Sequence, residues 1–114
     1  MTMDQPSSDF GADSAGALLE QLLGPLLVDF QESFTRGLLL LDHCPEAVLT
    51  APQQQALRQR LEEGLAGLAA ARVLRQATPA PMALDMAPIQ PWHQLVVEVW
   101  SLSAAVRAAG VAMP

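Results

Sequence analysis

The spacing of the large apolar residues constrains this chain more than anything else in it. Leu19, Leu22, Leu23, Leu26, Leu27, Phe30, Phe34, Leu38 and Leu41 follow one another at steps of three and four residues. On a helix with 3.6 residues per turn these positions share one broad side. Gln21, Asp29, Glu32 and Arg36 fall on the other. The pattern predicts a first helix from about Ala15 to Leu41, with Ser14 or Asp13 accepting a hydrogen bond from its first free amides. Gly24-Pro25 interrupts it. Pro25 has no amide hydrogen and its ring crowds the preceding turn. The helix therefore kinks there, or stops at Gly24 with Pro25 opening the next one. The stripe keeps phase across the break, which favours a kinked, near-continuous helix.

Pro45 disfavours helix at Cys44, so a loop follows. Thr50 and Gln53 have the spacing of a capping box, with Pro52 in the first turn after it. A second helix is predicted from about Ala51 to Gln76. Its stripe is Leu57, Leu61, Leu65 and Leu68, extended toward Val73 and Leu74. Gly64 and Gly67 lower its propensity. They either admit a neighbouring helix closely or are simply tolerated in an Ala-rich segment.

Residues 77–90 carry Pro79, Pro81 and Pro88, with Pro91 just beyond, and cannot form a regular helix. This linker also holds Met82, Leu84, Met86 and Ile89, an apolar content that argues for packing along the bundle. Pro91 is a favoured first position for a third helix, predicted to end near Ala109 with Gly110 as its stop. Trp92, Leu95, Val96, Val99, Leu102 and Val106 form its core face. His93, Val97, Trp100 and Ala104 form a second, flanking apolar face, so the two together cover more of the circumference than a bundle helix needs.

No strand pattern, long repeat or glycine-rich phosphate loop is present. The 114 residues fit a single domain. The fold class is all-α: an antiparallel three-helix bundle, or a long helical hairpin with the third helix docked across it. Residues 1–13, polar and acidic, read as a disordered tail, 14–109 as the helical domain and 110–114 as a C-terminal tail. The start is unlike a secretory leader, and no apolar run reaches the length of a membrane span, so a cytoplasmic protein is expected.

Hydrophobic residues are 51% of the chain before its 7 glycines are counted, against about 45–50% with glycine included in ordinary soluble domains. The net charge is −6, with 12 acidic residues, 6 arginines and no lysine. That balance lacks the basic patch needed to displace counterions from nucleic acid, and the basic face of an interfacial membrane helix.

Catalytic or metal chemistry finds little to work with. Cys44 beside His43 supplies too few ligands for a zinc-type set. His93 and Glu98 are five apart, off a common helical face. Glu62 and Glu63 are adjacent and diverge. Ser101 and Ser103 have no histidine placed to activate them. We expect no enzyme, no cofactor and no metal.

Two segments resemble a known family. Leu23-Gly24-Pro25-Leu26-Leu27-Val28-Asp29-Phe30-Gln31 with Phe34, and Pro91-Trp92-His93-Gln94-Leu95-Val96 with Glu98 and Trp100, are similar to the two signatures of a family of short cyanobacterial proteins. That family is known only as a domain of unknown function. The resemblance spans about 18–106. Gly24 and Val28 stand where the family pattern has acidic residues, so no acidic surface is carried over there. The resemblance implies a cyanobacterial setting and supplies no catalytic residues.

The reading that follows is a protein–protein interaction module, an oligomeric subunit or an adaptor. Its candidate contact residues are Trp92, His93, Val97 and Trp100, with Met82 and Met86 of the linker. Trp92 on the main stripe suits core packing; Trp100 on the flanking face suits either a partner or burial under the linker. Two alternatives remain: an adaptor docking on a membrane protein through the Pro/Met-rich linker, and a small metal-dependent protein using His43, Cys44 and His93.

Overall fold

The computed structural model describes the backbone of residues 4–77 and 88–113, with side chains from 21 onward. Three helices follow in order, α1 (Asp4–Asp42), α2 (Ala51–Ala77) and α3 (Ile89–Ala108), with no strand among the described residues.

The first helix is continuous through Pro25. A proline inside a helix loses one backbone hydrogen bond and costs about 3 kcal/mol. Leu23 and Leu27, on either side of it, are buried to within 2% of full coverage, and burying each such side chain returns about 1.5–3 kcal/mol. Pro25 itself is exposed. At its start the helix runs back to Asp4, where apolar periodicity places the beginning near Ala15. Pro6 falls in the first turn, where a missing amide proton has no helical partner to lose. Met82, Met86 and the rest of the linker between 77 and 88 lie outside the described residues.

The packing is up, down, up. Positions that would meet a side chain added at each glycine give the register: Gly24 faces Arg75 and Gly64 faces Phe34, so α1 and α2 run antiparallel. Phe30 meets Trp92 near one end of α3 and Gly37 meets Val99 further on, so α3 runs parallel to α1. Gly67 faces Trp92 while Arg60 reaches Glu98, so α2 and α3 are antiparallel. The antiparallel three-helix bundle is therefore the observed form. α1 supplies most of the packing partners for both other helices.

The core runs along this axis through Leu27, Phe30, Phe34, Leu61, Leu68, Trp92, Leu95, Val99 and Val106. Phe30 stacks on Phe34 with ring centres 6.0 Å apart and meets Trp92 edge-on at 5.7 Å. The stripes drawn from periodicity shift at their ends. Leu40 is fully covered while Leu38 is partly so, and Leu22, Val73 and Leu74 are exposed. At the far end of α2 the inward positions belong to Ala71 and to Arg75 beneath Gly24.

The helix ends are closed by local chemistry. Thr50 and Gln53 form the capping box: the Thr50 amide donates to Gln53 Oε1 at 2.9 Å, and the Gln53 amide to Thr50 Oγ1 at 3.3 Å. Gln54 Nε2 donates to the carbonyls of Cys44 and Leu49, holding the α1–α2 loop shut. α3 begins at Ile89, two positions before the expected Pro91, which sits in the first turn; Trp92 makes the first backbone bond, to the Pro88 carbonyl. At the other end the Gly110 amide bonds Arg107 and the Val111 amide bonds Val106, the paired bonds of a Schellman stop. Gly110 has φ of 78°, a left-handed turn that a side chain would strain. Val111 and Met113 then fold back on the core, so 110–113 is not a free tail.

Candidate functional site

The flanks of α3 have different fates. Glu98 points toward α2 and takes both guanidinium nitrogens of Arg60, at 2.8 and 2.6 Å. The bond holds the Arg60 guanidinium above the usual arginine range, against some loss from desolvation. The pair is about half exposed, so its contribution is about 0.2–1 kcal/mol. It pins one edge of α3. The opposite edge, facing α1, carries Trp100, which is 63% exposed.

Between that edge and α1 runs an open groove of about 390 Å³. Its floor is Leu26, Phe30 and Val96; Asp29, Glu32 and Ser33 line it from α1, and His93 and Trp100 from α3. The helical turn explains the pairing, because His93 and Trp100 lie seven residues apart, close to two turns, as do Leu26 and Ser33. The parallel arrangement of α1 and α3 sets these two rows side by side. Apolar surface thus sits at the bottom and carboxylates at one rim.

The sequence-derived candidates separate accordingly. Trp92 is 7% exposed and packs between Phe30 and Gly67, so it belongs to the core. His93, Val97 and Trp100 are exposed. His93 and Trp100 line the groove, and Val97 faces outward beside it. Met82 and Met86 lie outside the described residues. Leu26, Asp29 and Ser33 were not among the contact candidates read from sequence, although their spacing of three and four residues is itself a helical-face signal.

His43, Cys44 and His93 are not brought together. His93 stands beside Phe30 of α1, whereas His43 and Cys44 follow the C-terminal end of that helix. That places them about 18 Å apart along the axis. His43 Nδ1 lies 3.1 Å from the Leu39 carbonyl oxygen. Burial pushes the Cys44 thiol above its ordinary pKa, and the hydrogen bond from the Leu49 amide pulls the other way. Among the described residues no three His, Cys, Asp or Glu side chains cluster as metal ligands. No helix among them is long and apolar enough to cross a membrane.

A second, smaller hollow of about 290 Å³ lies between the α1–α2 loop, α2 and α3, with Val48, Leu57 and Leu102 at its base. Its one charged lining group, Glu98, is already engaged by Arg60.

Residues 13–108 match a family model described as protein of unknown function (DUF2605). The match contains both segments on which the resemblance rests. No curated protein and no solved structure matches the chain.

Proposed function

We propose, for a chain that belongs to the DUF2605 family, that it is a non-enzymatic interaction module whose contact face is the α1/α3 edge. The observation that carries this reading is Trp100. A tryptophan left 63% exposed leaves unburied much of an aromatic surface of about 150–250 Å². Tryptophan is enriched among residues that dominate binding energy at interfaces. Val97 beside it and the Leu26–Phe30–Val96 floor extend the apolar surface. His93 supplies a polar edge. Among the described residues the core is built around Trp92 and does not include Trp100.

The test compares native extracts containing the tagged wild-type chain or Trp100→Ala. The wild type is expected to elute from a sizing column in an assembly well above its 12.2 kDa. Trp100→Ala is expected to elute as the monomer while melting at nearly the wild-type temperature. A wild-type chain that elutes only as a monomer contradicts the reading. So does a Trp100→Ala variant that keeps its assembly.

A further inference from the structure

We infer that the groove between α1 and α3 receives an arginine-bearing, otherwise apolar segment of another protein. This rests on the reading of that face as a protein contact and names its occupant. The floor formed by Leu26, Phe30 and Val96 rewards aliphatic side chains, because their transfer from water scales with apolar area. Trp100 forms a wall with its ring open, and a guanidinium within about 6 Å of an indole centroid is attracted by the ring's electron-rich face. Asp29 and Glu32 line the groove from the α1 side. Both are exposed, and neither has an ion-pair partner among the described residues. A ligand that joins leucine-like bulk to a planar cation satisfies all three.

Charge decides between this occupant and a second copy of the chain. The whole molecule carries −6 and contains no lysine. Two copies meeting through this face would bring four carboxylates from Asp29 and Glu32 into one contact, and like charges across an interface cost several kcal/mol. Arg36, one turn beyond Glu32, is not part of the lining and makes no ion pair with it. A cationic segment turns the same carboxylates into attraction and gains in encounter rate from the net field.

The full-length, isotope-labelled chain is titrated with two synthetic helical peptides of equal length. One is built from Leu, Ala and Arg; in the other each Arg is Glu. The arginine peptide is expected to shift the Trp100 indole resonance and the amides of Asp29 and Ser33. It should bind at least about tenfold more tightly than the glutamate peptide, and lose about tenfold against Asp29→Asn/Glu32→Gln, a difference of about 1.4 kcal/mol. Equal binding of the two peptides, shifts centred on another face, or undiminished binding to the double variant overturns the proposal. A dimer of the free chain that shields Trp100 overturns it as well and assigns the groove to a second copy. If the arginine peptide fails while Trp100→Ala still dissolves the native assembly, the cationic occupant is lost and the contact face stands.

Discussion

A methyl group on Gly64 would lie 2.8 Å from Cε2 of Phe34, closer than real side chains approach. Phe34 is wholly buried, and its ring is stacked on Phe30. It therefore has no room to turn aside. The packing of α2 on α1 at this level depends on this glycine.

Gly64→Ala sets two effects against each other. Alanine favours the helix by about 1 kcal/mol, while overpacking a filled core costs about 1–3 kcal/mol. Because the obstructing group is a fully buried ring and the added methyl would also meet Leu95 Cδ1 at 3.4 Å, overpacking should win. We expect a lower melting temperature in thermal unfolding followed by circular dichroism. A higher one would show that the helices can separate at no cost.

The two tryptophans should divide cleanly between stability and binding. Trp92→Ala removes a ring packed on Phe30 and Gly67 and should cost about 3–5 kcal/mol in urea unfolding. Trp100→Ala removes an exposed ring and should change stability by no more than about 0.5 kcal/mol. Equal losses would place both in the core.

Much of this was legible in the chain because it depends on local chemistry. Apolar spacing located the three helices, Thr50 and Gln53 announced a cap that forms as read, and Gly110 marked a stop that the positive φ explains. Trp92 was read both as a core residue of the stripe and as a contact candidate, and its burial keeps only the first reading. The groove was not legible, because Asp29 and Ser33 become its lining only once α3 is laid parallel to α1 at a particular register. Periodicity along one helix carries no information about that offset. The same holds for Arg60 and Glu98, 38 residues apart in sequence. The start of α3 at Ile89 was missed because Pro91 suits any position of the first turn, not the first alone.

Cys44 should be a slow nucleophile. Its pKa is raised, chiefly by burial, so at neutral pH less of it is thiolate, the reactive form. Alkylation by iodoacetamide should be slower in the native protein than in urea, and should accelerate as pH rises past the ordinary thiol range. Native modification at the unfolded rate or faster would contradict this.

The contact face itself is tested most directly by placing a photo-crosslinking amino acid at position 100 or, as a control, at exposed Glu62 on the outer side of α2. Both proteins are irradiated in their native cells. A discrete protein adduct at position 100, absent at position 62, is the outcome this account predicts. No adduct at 100, or the same adducts at both positions, would contradict it.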